Sequence, residues 1–338
     1  MTATQKPCPK APFGAGLCLL ASALLLGGCA NAPSVLAPAG PAAQTLSTLW
    51  WVLFVIAAIV FVVVMGLLSY ALFRRRRTSG SVGGTLGSSH FFVAVGGGLI
   101  PALILVGVMI YTVSVQNALS MPKEPALRVQ LIGHQWWWEV RYPDEGVVTA
   151  NEVHIPAGTP VLFELTSADV IHSFWPPQLQ AKMDLLPGQT NTTWLTADQP
   201  GVYRAQCAEY CGLQHAHMGL MIVAESEQQY AAWIQGQREN APRPADPVLK
   251  QGEQVFLGSA CVYCHTIRGT IATGKIGPDL THIATRQTIG AGILPNNIGN
   301  LSGWIVNSQT IKPGNQMPPM YLNGDDLNAV VAYLQSLK

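Results

Sequence analysis

The sequence predicts a multidomain membrane protein: two transmembrane helices, then an all-β domain, then an all-α domain. Three observations carry that reading. Of the 338 residues, 49% are hydrophobic and only 11% charged, against roughly 25% charged in an ordinary soluble domain. The charges are also unevenly placed: residues 1–122 hold six, all basic (Lys6, Lys10 and Arg74 to Arg77), and residues 123–338 hold the other 31. Within the charged part, short alternating apolar segments between Pro and Gly turns give way near residue 245 to helical patterns. That part has 13 basic and 18 acidic residues, a net charge of −5 that excludes an electrostatic nucleic-acid binder.

The N-terminus reads as an export signal. Lys6 and Lys10 precede an apolar run from Phe13 to Leu26 that is too short to span, so residues 1–28 are expected to be a signal peptide. Its ending, Leu26-Gly27-Gly28-Cys29, resembles a bacterial lipobox, which implies a lipidated Cys29 and marks the chain as a lipoprotein; an ordinary signal peptide is the alternative. Residues 29–47, uncharged and rich in Ala, Pro, Ser and Thr, are expected to be a flexible spacer. A two-helix transmembrane hairpin is expected over 48–115. Leu49 to Phe73 is a run of 25 residues without a charge, about 37 Å as a helix and enough for a hydrocarbon core of about 30 Å. Arg74 to Arg77 then fix that end in the cytoplasm, and Phe91 to Val113 returns. The expected location is the bacterial inner membrane, multi-pass, with both soluble domains on the oxidising periplasmic face.

The first soluble domain, expected over 121–225, alternates as strands do in Val153-His154-Ile155 and Val161 to Leu165, with turns at Pro156-Ala157-Gly158 and Pro187-Gly188. Into it falls Cys207-Ala208-Glu209-Tyr210-Cys211-Gly212-Leu213-Gln214-His215-Ala216-His217-Met218, with His172 lying 35 residues upstream of Cys207. Thiolate, thioether and imidazole together select copper, and one early His with a late Cys, His and Met is the ligand supply of a cupredoxin-like site. A second Cys four residues after the first points to two coppers bridged by two thiolates. A Cys207–Cys211 disulfide and a zinc site are the alternatives; the first leaves the spacing of His215 and Met218 to accident, and zinc does not use Met. His134, His154 and His217 read as structural or exposed.

Residues 226–245 are expected to be a linker, stiffened by Pro242, Pro244 and neighbouring prolines. Asp246-Pro247 then suits an N-cap and first helical position. Cys261-Val262-Tyr263-Cys264-His265 follows, the C-x-x-C-H pattern of covalent heme attachment, with Cys261 and Cys264 holding the porphyrin and His265 ligating the iron. A redox dithiol would need a βαβ context, and a zinc site a second Cys/His pair that the remaining residues lack. The pattern Gly314-Asn315-Gln316-Met317-Pro318 resembles that of class I cytochrome c, which implies a sixth ligand from the loop Lys312 to Met320, with Met317 preferred over Met320 and His282 as a weaker rival.

Residues 45–225 resemble subunit II of heme–copper cytochrome c oxidases. The likeness rests on the two spans, Gly133-His134-Gln135-Trp136-Trp137-Trp138, Asp169-Val170-Ile171-His172-Ser173-Phe174, Pro187-Gly188-Gln189-Thr190-Asn191 and the loop from Cys207 to Met218. The resemblance implies a dinuclear CuA centre with Cys207 and Cys211 as bridges. It makes His172, His215, Met218 and the Glu209 carbonyl the terminal ligands. It further implies that the Glu209 side chain reaches a magnesium ion facing subunit I, and that electrons enter at Trp136. Residues 246–338 resemble class I cytochrome c, through Gly252, Phe256, Gly277-Pro278 and Gly314-Asn315-Gln316-Met317-Pro318. Together they resemble a caa-type oxidase subunit II, which implies an all-β cupredoxin domain followed by an all-α cytochrome c domain over 246–338. The implied function is to pass electrons from a periplasmic cytochrome c or other donor, through heme c and CuA, to a separate subunit I that reduces oxygen with proton pumping. Ala94 stands where such subunits often carry a proton-channel Glu, so that route is unassigned.

The alternatives are a CuA subunit of a nitric oxide reductase, a quinol oxidase subunit, and a stand-alone membrane-anchored carrier. A nitrous oxide reductase relative would need a large propeller for which there is no room. The expected partners are subunit I, the other oxidase subunits and membrane lipid. The copper domain (123–245) carries 13 acidic and 7 basic residues, net −6, and the cytochrome domain 5 acidic and 6 basic, net +1. Their mutual attraction is therefore weak, and tethering is expected to supply proximity instead.

Overall fold

In the computed structural model, residues 33–75, 86–120 and 127–338 are described. The signal peptide and Cys29, like Arg76 and Arg77, lie outside them. Helix α1 (Pro41–Arg75) includes the first apolar run. The spacer expected over 29–47 is thus helical from Pro41 onward, a correction with a local cause. Pro41 sits at the first helical position with its φ already set, and Ala42 and Ala43, good helix formers, are buried. Gly40 packs so closely that a Cβ there would stand 2.1 Å from the Thr196 carbonyl oxygen. The return helix begins as α2 (Leu86–Ala94), widens into a π-turn at Val95–Leu99 and continues as α3 (Ile100–Ala118). The wide turn precedes Pro101, whose ring would crowd the carbonyl four residues back in a regular helix. Both helices are long and apolar enough to cross a membrane.

Ten strands follow, in two five-stranded sheets. One has the order β3 (Val147–Ala150), β2 (Trp137–Tyr142), β1 (Leu127–His134), β5 (Val161–Ser167), β8 (Asn191–Leu195). The other runs β4 (Glu152–Pro156), β10 (Gly219–Glu225), β9 (Gly201–Cys207), β6 (His172–Trp175), β7 (Met183–Leu185). Alternation decides which face is inside. Leu127, Val129 and Leu131 of β1 are buried beside Val161, Phe163 and Leu165 of β5, with which β1 pairs in parallel. They meet Phe174, Leu185, Leu220 and Ile222 of the other sheet in one core. The Tyr142 hydroxyl accepts from His154 N at 2.8 Å and donates to His154 O at 2.9 Å, which satisfies a phenol that is otherwise fully buried.

The interval expected as a linker, 226–245, contains helix α4 (Glu227–Arg238), capped by Ser226 and Gln229. It belongs to the copper domain: the Trp233 ring stacks on His154 with centroids 4.1 Å apart. The amphipathic stretch 228–234 is therefore part of the sandwich, and only the prolines beyond it connect. Helix α5 (Pro247–Leu257) starts where Asp246 accepts from Val248 N and Leu249 N. After it come the short α6 (Cys261–Cys264), the hairpin strands β11 (Thr288–Ile289) and β12 (Leu294–Pro295), α7 (Ile298–Asn307) and the terminal α8 (Gly324–Ser336). Helices α5 and α8 cross at Gly252, where a Cβ would stand 2.0 Å from the Ala329 carbonyl oxygen. Phe256, Leu301, Ile305, Val330 and Leu334 fill the core around this crossing.

Candidate metal and heme centres

The end of β9 and the loop after it carry the sulfur ligands, and β6 brings the remote histidine. Phe174 pairs with Cys207 and Trp175 with Gln206 across β6 and β9, which puts His172 beside the loop. Cys207 Sγ lies 3.7 Å from Cys211 Sγ, and both thiols are free. His172 Nδ1 is 3.9 Å from Cys207 Sγ, His215 Nδ1 is 3.6 Å from Cys211 Sγ, and Met218 Sδ is 3.9 Å from Cys211 Sγ. The Glu209 carbonyl oxygen stands 3.2 Å from Cys207 Sγ. All six groups expected from the sequence thus converge, and Cys207, Cys211, His172 and Met218 are buried. The donor chemistry fits copper: three sulfurs and two imidazoles are a soft set, and zinc would leave Met218 idle.

The supporting residues explain the geometry. His172 Nε2 lies 2.8 Å from Asp169 Oδ1, which fixes the ring and leaves Nδ1 for a metal. Burial alone would raise the Asp169 carboxyl, but hydrogen bonds from His172, Val170 N and Gln135 N outweigh it and hold it below its usual value. The partnership of the two sulfurs pulls the Cys207 thiol down and pushes the Cys211 thiol up. A Cβ at Gly133 would stand 2.7 Å from His172 Cδ2, so only glycine leaves room for this ring. Neither Asp169 nor Gly133 stands out in the sequence; each lies inside a motif whose pattern gives it no separate role. Glu209 points its carboxylate outward to Lys182 Nζ at 3.2 Å. His217 bonds Gln214, at 2.7 Å between Nδ1 and Oε1.

The second centre is a cavity of about 220 Å³ lined by Cys261, Cys264, His265, Met317 and Met320. His265 Nδ1 lies 2.8 Å from the Pro278 carbonyl oxygen, an acceptor only, so Nδ1 carries the proton and Nε2 is left free. Burial holds this imidazole below its ordinary value and hence neutral, the form that ligates iron. A Cβ at Gly277 would stand 2.6 Å from His265 Cε1, which accounts for the glycine before Pro278. Arg286 and Thr288 line the same cavity, and Arg286 Nε and Thr288 Oγ1 are buried without a partner, a fit for the acidic edge of a porphyrin. Both methionines line the cavity, while the loop is fastened nearest Met317: its carbonyl accepts from Ser308 and Gln309, and its N–H donates to Asn315. His282 is engaged elsewhere, its ring nitrogens 2.9 Å from Lys338 O and 3.1 Å from Glu239 O.

The two centres share a wall. Gln135, Trp136 and Trp137 of the copper domain also line the cavity. Trp136 Nε1 donates to the Cys211 carbonyl at 3.0 Å, and Gln135 Nε2 donates to the same oxygen at 2.7 Å.

Residues 146–226 match the family described as cytochrome C oxidase subunit II, periplasmic domain, and residues 249–338 match cytochrome c. The first implies CuA copper and the second heme. "Cytochrome c oxidase subunit 2" of Alkalihalophilus pseudofirmus is 35% identical over 331 residues, covering 93% of this chain and 94% of the relative. Its counterpart from Bacillus subtilis is 30% identical over 79% of this chain and 80% of the relative. "Quinol oxidase subunit 2" of Bacillus cereus is 29% identical over 68% of this chain and 81% of the relative. With the two domains matched in order and a relative similar along nearly the whole length, the chain belongs to the cytochrome c oxidase subunit II family, in the form that carries a C-terminal cytochrome c domain.

Proposed function

We propose that this chain is the electron-receiving subunit of a heme–copper oxidase, passing electrons inward from a periplasmic donor toward a subunit I that reduces oxygen to water and pumps protons. When bound, heme c and the two coppers supply reversible one-electron chemistry. Cys261 and Cys264 would hold the porphyrin covalently, with His265 and Met317 as axial ligands. Cys207 and Cys211 would bridge the coppers, with His172, His215, Met218 and the Glu209 carbonyl completing them and the Glu209 carboxylate free to reach a magnesium ion toward subunit I. Trp136 would serve between the centres. The two apolar helices would form a periplasm-facing hairpin in the inner membrane, and Cys29 a lipid anchor.

The observation that carries this reading is the complete soft-donor set at Cys207, Cys211, His215, Met218 and His172. A quinol oxidase subunit has no use for it, which weighs against that alternative despite the related sequence. The test is a truncation at Pro244 in the assembled complex. Copper should stay bound and the complex assembled, while oxidation of the physiological donor slows and a small soluble cytochrome at high concentration partly restores turnover. Unchanged donor oxidation at low donor concentration would show that the cytochrome domain is not the point of electron uptake. Heme a bands in the spectrum of the purified complex would separate an oxidase subunit from a stand-alone carrier.

A further inference from the structure

The cytochrome domain sits on the copper domain, and two buried ionisable side chains lie in the contact. Lys312 is 2% exposed, and its Nζ donates to the carbonyls of Trp136 at 2.7 Å, His217 at 2.7 Å and Gly290 at 2.9 Å. An ammonium has three N–H groups, so each of them is satisfied. Two acceptors belong to the copper domain, at the turn before β2 and inside the copper loop; the third belongs to Lys312's own domain. Glu152 provides the reverse. It is 2% exposed on β4 of the copper domain, and its Oε1 accepts from the backbone N–H of Gln287 at 2.6 Å and of Thr288 at 3.1 Å, both in the cytochrome domain. Across the same contact Gly219 N donates to the Ala291 carbonyl at 2.9 Å, and Gln214 Nε2 to the Pro313 carbonyl at 2.7 Å.

A buried ionisable group stripped of such partners is strongly disfavoured, so each of these groups disfavours any arrangement in which the domains slide or part. The attachments are also distributed to matter for the two centres. Lys312 heads the loop that carries Met317 and reaches the carbonyl next to Met218; Glu152 anchors the strand that follows Arg286. We propose that Lys312 and Glu152 are positioning residues that lock the cytochrome domain onto the copper domain in a single register, with Trp136 closed between the heme cavity and the copper loop. The inference deepens the electron-transfer reading and rests on it for its purpose, but the lock itself is measurable apart from any electron movement.

Amide hydrogen exchange on the full-length protein loaded with heme and copper tests it, comparing the parent with Lys312→Met and Glu152→Leu. In both variants the interface amides Gly219, Gln287 and Thr288 should exchange about tenfold faster or more, while Ile267 and Leu280, bonded within the cytochrome core, keep parental rates. In parallel, heme-to-copper electron transfer after flash reduction should be independent of solvent viscosity in the parent and viscosity-dependent in the variants. Parental rates at the interface amides in both variants would overturn the proposal, as would a rise shared equally by the core amides. A rise in one variant alone would overturn the two-point lock and leave a single attachment. Protected interface amides in a parent that shows no heme-to-copper transfer would overturn the electron-transfer reading and leave the lock standing.

Discussion

Trp136 donates its indole N–H to the carbonyl of Cys211, and the same ring lines the cavity that contains Cys261, Cys264 and His265. One side chain therefore touches both centres. Trp136→Phe keeps a ring in that place and removes the hydrogen bond. Heme-to-copper transfer should slow about tenfold, equivalent to about 1.4 kcal/mol of barrier, with both cofactors still bound. An unchanged flash-photolysis rate would mean that the contact is packing only.

Cys207→Ser or Cys211→Ser removes one of two sulfurs that stand 3.7 Å apart. Either variant should lose the mixed-valence two-copper EPR signal, because one thiolate cannot bridge the pair. Met218→Leu should be milder, since a weak axial ligand tunes potential more than it holds metal.

Gly133→Ala puts a methyl group where His172 Cδ2 already lies 2.7 Å away. The ring must shift from Asp169, and copper affinity should fall about 10–100-fold, as for other losses of ligand orientation around a metal. Competition with a copper chelator measures it; an affinity equal to the parent's would show that His172 tolerates the shift.

At the heme, Met317→Ala should convert a low-spin six-coordinate iron into a high-spin or misligated one while attachment at Cys261 and Cys264 survives. Met320→Ala should leave the spin state unchanged. The reverse pattern in the visible spectrum would transfer the ligand to Met320.

His154 provides a pH signature in the copper domain. Burial would lower its imidazole, but the carboxylates of Glu152, 3.9 Å from Nε2, and Glu225, 3.1 Å from Nδ1, outweigh that and raise it above its ordinary value of 6.5. A group with a raised folded pKa stabilises fully below the unfolded value and loses that contribution as pH climbs through the folded one. The Tm advantage of the parent over His154→Gln should therefore shrink as pH rises from about 6 into the alkaline range. A difference that does not vary with pH would show that the histidine does not titrate there.

Much of this arrangement is written in local residue pattern. The uncharged runs, the alternation of Val161 to Leu165, the Asp246 cap and the spacing of Cys207, Cys211, His215 and Met218 are signals within a few residues of each other, and the structure follows them. In two segments composition misleads, because tertiary context decides their structure. Residues 41–47 look like spacer until Ala42 and Ala43 are buried, and 227–238 look like linker until Trp233 finds His154. The contact between the domains was not legible at all. Lys312 and Glu152 reach backbone carbonyls and amides, which every residue possesses, so no side-chain type on the other side marks the partner. Net charges of −6 and +1 argued for tethering alone, whereas the packing adds contacts that a count of charges does not show.

Gly40 and α1 have a mechanical consequence. A helix of 35 residues is about 52 Å long, so if about 30 Å of it crosses hydrocarbon some 20 Å is left to project as a mast. Its foot in the sandwich is cramped at Gly40 against Thr196, and α3 is stayed from the other side, where Trp194 Nε1 donates to the Leu119 carbonyl at 3.0 Å. Two helices joined at Trp194 and Thr196, at the end of β8, would give the copper loop a set height and heading above a membrane. Adding a single residue to the mast would turn everything it carries by about 100° about the helix axis, so a length change at this base should be tolerated far less well than one in the loops.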